Sequence, residues 1–292
     1  MGNLELIRKK NPSIFRRIAI GTWRTAYDPS AYGAMTLRRE EAAEYIEAFR
    51  RHTGRKLTVT HMIGRAVGEL LAKHPDANAI LRGHRIYLRK QIAVFFQTAM
   101  KDPVTGELDL SGVTIHDPHK KTLVEIVDEF EKHVAQVRAR KDKDLEQTRG
   151  LMARMPGWLV GRMLNLTAWL GYDLNLKLPG VPRDAFGSVM VTNIGSLGLE
   201  EAYAPLVPYS RVPILLALGE IEDVPVVEDG KLVPAKQMKI CATFDHRVLD
   251  GAHAAAMAKM LRDWFEHPFE HFDPVPRLAP VRSRSQPSGG AP

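Results

Sequence analysis

The sequence predicts a two-layer α/β sandwich with a mixed sheet. Stretches with helical periodicity alternate with shorter stretches in which apolar residues follow strand-like patterns. The sequence has no glycine-rich loop of the kind that cradles phosphates, which argues against a nucleotide-binding α/β fold. With 292 residues, of which 45% are hydrophobic and 26% charged, the chain is long enough for one large domain or two small ones.

The first half of the chain has three predicted helices and one strand-like region. Residues 39–52 have amphipathic spacing, and a second helix is expected to be capped by Thr60 and to end at Pro75. Residues 85–98 change to a strand-like pattern. Residues 121–137 again place their apolar side chains on one helical face.

The last third of the chain contains three predicted strands and a final helix. The strands are residues 188–193, 212–219 and 237–244, and apolar residues alternate in the last of them, as expected for a sheet with one buried face. The helix spans residues 252–267 and ends before Pro268.

Charge and cysteine content limit the function classes. The formal net charge is +7, and a basic surface of this kind fits nucleic acid, an anionic membrane, a phosphate-rich cofactor or simply a solvated face. We expect no nucleic acid partner, because no nucleic-acid-binding motif is present. The N-terminus lacks a signal pattern, no apolar stretch is long enough to cross a bilayer, and Cys241 is the only cysteine. These features predict a cytoplasmic protein.

The most specific motif is Asp-His-Arg-Val-Leu-Asp-Gly, residues 245–251, between an apolar strand and a helix. A histidine held at a strand end suits a general base that takes a proton from a thiol. The alternative is structural, with Asp250 capping the last helix and His246 serving as a loop histidine. Residue chemistry alone leaves both interpretations open.

The motif His-x-x-x-Asp-Gly in this setting resembles the catalytic domain of the dihydrolipoamide acyltransferases of 2-oxo-acid dehydrogenase complexes. Residues 191–198, Val-Thr-Asn-Ile-Gly-Ser-Leu-Gly, are similar to that family's strand-and-turn segment, in which a Ser or Thr precedes Asn. Chloramphenicol acetyltransferase shares the fold, but it usually has a second histidine where this chain has Asp245. The resemblance covers about residues 12–272 and implies a chloramphenicol acetyltransferase-like fold.

The resemblance implies a role for each of the matching residues. His246 would deprotonate the thiol of coenzyme A or dihydrolipoamide, and the thiolate would attack the acyl thioester directly. Thr192, contributed by the neighbouring subunit of a homotrimer, would donate a hydrogen bond to the oxyanion. Asp250 would orient the loop through an ion pair with an arginine such as Arg16 or Arg17.

The remaining site assignments are less specific. Asn193 and Gly251 would support the site, and coenzyme A would be a substrate whose contact residues the sequence does not identify. We expect no metal site, because the histidine pairs 116/119 and 267/271 have no carboxylate or cysteine cluster beside them and are predicted to be surface histidines. Cys241 is predicted to be a small core residue rather than a nucleophile.

The chain departs from the family pattern in its domain organisation. We expect a basic arm at residues 1–11, the catalytic domain at 12–272 and a flexible, largely disordered tail at 273–292. Typical members of the family have lipoyl and subunit-binding domains ahead of the catalytic domain, where this chain has only the short basic arm. We therefore expect no lipoyl group on this chain. A separate lipoylated protein or another acyl thioester such as acyl-CoA would then supply the acyl group, and the expected partner besides the chain itself is a lipoylated protein or a dehydrogenase component. The polar C-terminus predicts an isolated trimer rather than a cage.

An apolar insertion at about residues 151–182 is a second departure. It would cover an acyl pocket, bind a partner, make a peripheral membrane contact or add core to its own subunit. Two other functions remain as alternatives to acyl transfer between thiols. One is a non-catalytic trimeric scaffold with the same fold, and the other is a small-molecule O- or N-acetyltransferase.

Overall fold

The computed structural model describes residues 3–8, 29–101, 108–138, 156–178, 181 and 183–278. The strands are β1 (Leu6–Arg8), β2 (Ser30–Arg38), β3 (Ala79–Arg82), β4 (Arg85–Arg89), β5 (Ala93–Lys101), β6 (Leu108–His116), β7 (Val189–Asn193), β8 (Ile214–Glu228) and β9 (Lys231–Asp245). The helices are α1 (Glu40–Thr53), α2 (Val59–Lys73), α3 (Leu123–Arg138), α4 (Gly157–Ala168), α5 (Gly251–Glu266) and α6 (Pro268–His271), and a π-helical turn (Trp169–Asp173) directly follows α4. Arg16, Arg17 and the predicted tail beyond residue 278 lie outside the described residues.

Six strands form one mixed sheet in the order β2-β9-β8-β7-β5-β6. Strand β7 runs parallel to both of its neighbours, β5 and β8, whereas the other adjacent pairs are antiparallel. A smaller antiparallel sheet has the order β1-β4-β3. The mixed sheet with helices packed against it confirms the predicted α/β class.

The main core lies between the six-stranded sheet and helices α1, α2, α3 and α5. Successive side chains of a strand point to opposite faces, and β5 illustrates the consequence. Val94 and Phe96 pack in this core, while Phe95 between them contacts Phe186 on the opposite face. Full burial of each such side chain contributes about 2 kcal/mol to stability. The apolar stripes that predicted the helices are therefore the faces that hold them on the sheet.

The strand-like region at residues 85–98 is two strands, β4 and β5, which belong to different sheets. The chain bends between them, and Asn78 holds the bend by donating to the carbonyls of Arg89 (3.0 Å) and Gln91 (3.2 Å). The buried Arg89 guanidinium in turn pairs with Asp184 (3.1 Å) and donates to Ser188 Oγ (3.2 Å). Hydrophobic periodicity does not reveal such a bend, because polar contacts from distant segments create it.

The described part of the predicted insertion packs on the small sheet. Ala168 and Tyr172 form an apolar cluster with Leu4 and Ile80. The opposite side is open, as Leu166 (54% exposed) and Trp169 (48% exposed) show. This segment thus adds core to its own subunit on one face only. Among the described residues, no helix combines the length and the apolar character needed to cross a bilayer.

Helix α2 begins earlier than expected, with Thr58 rather than Thr60 as its N-cap. His61 completes a capping box, because its Nδ1 accepts a hydrogen bond from the backbone N–H of Thr58 (3.2 Å). Burial of the ring is the main cause that lowers the pKa of His61 to about 4, and the positive charge of Arg50 adds a smaller contribution. The imidazole of His61 is therefore neutral in the folded protein at neutral pH.

The His61 ring makes stability depend on pH. Its folded pKa lies below the unfolded value of about 6.5, so its stabilisation is complete above that value and is lost as the pH falls towards about 4, in total about 3 kcal/mol. Urea unfolding at about pH 7 and about pH 5 should show a loss of about 2 kcal/mol from this group. The His61→Gln variant keeps a capping side chain and should lack that loss, with His52→Gln at an exposed position as control. An unchanged pH dependence in His61→Gln would contradict this.

Candidate active site

The predicted base His246 directly follows strand β9 at the edge of the sheet where β2 begins. Its backbone N–H donates to the carbonyl of Pro29 (3.0 Å), and its Nδ1 lies 2.8 Å from the carbonyl oxygen of Leu249. Because a carbonyl oxygen only accepts, Nδ1 carries the proton. The neutral imidazole then has its lone pair on Nε2, which is the arrangement that a general base requires.

Asp245 and Arg247 brace the turn that holds His246, a role that the sequence did not predict for either. The Arg247 guanidinium donates to both carboxylate oxygens of Asp245 (2.9 and 2.7 Å). The backbone N–H groups of Val248 and Leu249 both donate to the Asp245 carbonyl (2.9 Å each). The carbonyl of Leu249 is thus fixed in place, and so is the imidazole that it orients.

Asp250 is the N-cap of helix α5. Its Oδ1 accepts from the backbone N–H groups of Ala252 (3.1 Å) and His253 (3.2 Å) and lies 2.7 Å from Nδ1 of His253. The structure therefore contains the capping interaction that the sequence had offered as the structural interpretation. The proposed pairing with Arg16 or Arg17 lies outside the described residues. His253 is a contact that sequence reasoning missed, although its place in the first turn after an N-cap Asp is a usable signal.

Thr192 and Asn193 end strand β7, and the half-buried Thr192 aligns with Ala217 on β8. Ala217 in turn aligns with Cys241 on β9. Thr192 therefore lies two strands away from Cys241 and level with it, and Cys241 precedes His246 by five residues. At ~3.3 Å per residue and ~4.8 Å per strand, Thr192 and His246 of one chain are roughly 19 Å apart. These two residues cannot act on one substrate atom within a single subunit.

Asn193 makes hydrogen bonds within its own chain, and Gly251 begins helix α5. The side-chain oxygen of Asn193 accepts from the backbone N–H of Ser196 (3.1 Å), and its amide nitrogen lies 3.4 Å from Oγ1 of Thr60 at the start of α2. Gly251 is the first residue of α5, and a Cβ added there would meet nothing within 4 Å. Crowding by the described residues therefore does not require a glycine at this position.

The other chemistry-bearing residues have ordinary roles. Cys241 is 1% exposed in the apolar cluster behind the sheet, and burial raises the pKa of its thiol, so the thiol stays protonated at neutral pH. His116 is half-buried rather than on the surface as predicted, and burial lowers its pKa. His271 stacks on Trp264 at 5.3 Å. In the described part of the chain, no three His, Cys, Asp or Glu side chains are grouped to hold a metal ion.

A sequence model of the family described as "2-oxoacid dehydrogenases acyltransferase (catalytic domain)" matches residues 24–152 and 184–272. The chain belongs to this family. The matched ranges include Thr192, Asn193 and the whole 245–251 turn of this acyltransferase-family chain. The unmatched residues between them are 153–183, and the predicted insertion at about 151–182 falls on this gap.

Curated and solved relatives agree with the family membership. The dihydrolipoyllysine-residue acetyltransferase component of the acetoin cleaving system of Bacillus subtilis is 24% identical over 74% of this chain and 43% of its own length. The chain thus spans less than half the length of the curated relatives it matches.

Two solved structures show the same fold. The dihydrolipoamide acetyltransferase of Azotobacter vinelandii has a TM-score of 0.60 at 20% identity, with 90% of this chain and 99% of that chain covered. The truncated catalytic core of the 2-oxoacid dehydrogenase multienzyme complex of Thermoplasma acidophilum has a TM-score of 0.58, with the same identity and coverage.

The N-cap of α5 in this acyltransferase-family chain gives a prediction about Asp250. Asp250→Ala should lower the free energy of unfolding by about 1 to 2 kcal/mol, because two backbone N–H groups lose their acceptor. Asp250→Asn keeps an oxygen acceptor and should cost only a few tenths of a kcal/mol. Urea unfolding of both variants measures the difference. Equal losses in the two variants would mean that the negative charge, rather than the cap, is what stabilises this position.

Proposed function

We propose that this chain is a coenzyme A-dependent acyltransferase that moves an acyl group between coenzyme A and a thiol acceptor. The acceptor is dihydrolipoamide or the lipoyl group of a separate partner protein. The observation that carries the proposal is the 2.8 Å contact between His246 Nδ1 and the Leu249 carbonyl, on a turn that Asp245 and Arg247 brace. It presents Nε2 as a basic atom in a family whose reaction is acyl transfer.

The proposed reaction needs one base and no covalent enzyme intermediate. His246 Nε2 takes the proton from the S–H group of the acceptor, and the thiolate attacks the carbonyl carbon of the acyl-CoA. A new C–S bond forms and the carbonyl becomes a tetrahedral oxyanion. When the oxyanion collapses, the C–S bond to coenzyme A breaks and the departing sulfur takes the proton from His246. The histidine returns to its neutral state.

The oxyanion donor in this proposal is Thr192 of a neighbouring subunit in a homotrimer. The distance of roughly 19 Å between Thr192 and His246 within one chain supports a site between subunits, because a hydrogen bond reaches only ~3 Å. Hydrogen-bond donation to the oxyanion is worth about 10²-fold or more in rate. The active site would then be complete only in the oligomer.

Asp250 and its neighbours would position the base. The mechanism of the Azotobacter vinelandii enzyme has been studied through a serine, a histidine and an asparagine four positions after the histidine. His246 and Asp250 have the same spacing, and Thr192 supplies a hydroxyl as a serine does. We assign Asp250 to holding the turn through its capping bonds and, as a further part of the proposal, through an ion pair with Arg16 or Arg17. Asn193 would hold the end of β7 beside Thr192.

The test is an acyl-exchange assay on the full chain. Acetyl-, succinyl- and isobutyryl-CoA are incubated with dihydrolipoamide, and coenzyme A and acyl-dihydrolipoamide are separated by chromatography. We expect both products to form at equal rates. Absence of turnover with every donor in a folded trimer would instead favour the scaffold function. Turnover with hydroxyl or amine acceptors but not with thiols would identify a small-molecule acetyltransferase.

A further inference from the structure

An apolar cavity of about 250 Å³ lies between the first half of α5 and strands β2, β8 and β9. All of the described residues that line it are glycine or have nonpolar side chains, and the residues from α5 and from β2 include small ones. Ala254 and Ala258 line it from α5, and Gly33 lines it from β2. A Cβ added at Gly33 would meet nothing closer than Phe244 at 3.9 Å, so the space at this wall is open. Ala34 and Ala255, which also line it, are exposed, so the cavity is open to solvent and a ligand can enter it.

The cavity shares a wall with the turn that carries His246. Leu249 lines the cavity, and its carbonyl is the acceptor that orients the imidazole. Phe244, two residues before His246 on the same strand, lines the cavity as well. At ~3.3 Å per strand residue, the cavity wall begins roughly 7 Å from the backbone of His246. A group attached to a carbonyl held at His246 is therefore within reach of this space.

We propose that the cavity binds the hydrocarbon chain of the acyl group, which makes this chain selective for thioesters of medium-length apolar acids; the inference rests on the proposed function. An apolar cavity of about 150 Å³ accommodates benzene, so about 250 Å³ holds a chain of roughly six to ten carbons. An acetyl group leaves most of the space unfilled. A succinyl group would bring a carboxylate among lining side chains that offer it no hydrogen bond.

The proposed cavity predicts how kcat/KM depends on the length of the acyl chain. Each methylene moved from water into the cavity strengthens binding about fourfold, and the gain ends when the cavity is full. For the wild type, kcat/KM should rise by about that factor per methylene from butanoyl-CoA onwards, and should level off or fall by dodecanoyl-CoA. Succinyl-CoA should be a much poorer substrate than butanoyl-CoA, which has the same number of acyl carbons.

Two variants narrow the cavity from opposite walls. Ala258→Leu extends a side chain from α5, and Gly33→Val does so from β2. In each, the ratio of kcat/KM for octanoyl-CoA to that for acetyl-CoA should fall at least about tenfold. Ala256→Leu is the matched control, because Ala256 lies on the same helix but does not line the cavity. It should keep the wild-type ratio. Thermal unfolding of each variant verifies that it is folded.

The outcomes separate this inference from the proposed function. Turnover that does not vary with chain length, or ratios unchanged in both narrowing variants, would overturn the acyl-chain cavity while leaving acyl transfer intact. If no thioester is turned over, calorimetric titration with octanoyl-CoA and acetyl-CoA decides independently. Tighter binding of octanoyl-CoA that Ala258→Leu abolishes would support the cavity although the proposed function fails. Equal binding of the two would overturn the cavity as well.

Discussion

The His246→Ala variant is expected to lower kcat for acyl exchange by about 10²- to 10⁴-fold at neutral pH, because the acceptor thiol loses its general base. The structure gives a specific reason to assign this loss to one atom. The Leu249 carbonyl holds the proton of the ring on Nδ1, so Nε2 is the atom that accepts the proton of the thiol. His267→Ala removes an exposed histidine at the end of α5 and should leave kcat unchanged.

A pH series makes this prediction more specific. A thiol with a pKa of about 8.5 ionises without help as the pH rises, so the His246→Ala variant should recover part of its activity at about pH 9. The wild type does not depend on this spontaneous ionisation of the thiol and should gain less. A variant that stays equally inactive at all pH values would mean that His246 supports the structure of the site rather than proton transfer. Circular dichroism and gel filtration would then test whether the variant still folds and assembles.

The sequence predicted the layers of this fold well where one element buries one continuous face. Helix α1 and the final helix α5 lie within one or two residues of their predicted bounds, because their apolar stripes are the contact with the sheet. The predicted strands at residues 212–219 and 237–244 were too short. In the structure β8 and β9 continue as a two-stranded hairpin that ends at Asp229 and Gly230.

The sequence contains a signal for this hairpin, the Asp-Gly pair, which hydrophobic periodicity does not detect. Asp229 and Gly230 both have positive φ (48° and 78°), which is the conformation of the tight hairpin turn that Asp-Gly favours. The apolar residues on either side are largely exposed, as with Leu232, so burial patterns do not distinguish this ribbon from a loop. Strand β2 was missed for a related reason, since its inward positions include Gly33 and its outward positions include the exposed Tyr32.

Some features of the candidate site could also be predicted from the sequence, and others could not. His246, Asp250 and Thr192 were identified because a short motif and a family resemblance point to them. The bond from His246 to the Leu249 carbonyl could not be predicted, because it depends on the path of the backbone through the turn. The Asp245 and Arg247 pair also lacks a sequence signal, because it too depends on the path of the backbone through this turn.

Thr192→Val is the second substitution with a large expected effect. Valine keeps the branched shape that suits strand β7 but removes the hydroxyl, so we expect kcat to fall about 10²- to 10³-fold with little change in stability. Thr192→Ser keeps the donor and should retain most of the activity. Chromatographic measurement of acyl-CoA consumption gives both values. If Thr192→Val is nearly as active as the wild type, the oxyanion donor is another group.

Mixing the two inactive variants tests where the site lies. If His246 of one subunit acts with Thr192 of the next, a trimer that contains both His246→Ala and Thr192→Val chains includes sites in which both residues are intact. Every mixed trimer, with two chains of either variant, has both residues intact at one of its three interfaces, so about one third of the sites in mixed trimers should recover. Co-expression of differently tagged chains and purification of the mixed trimers provides the sample. A site built within one subunit could not recover at all, because each chain would still carry its own defect, and mixed trimers as inactive as their parents would rule out the shared site.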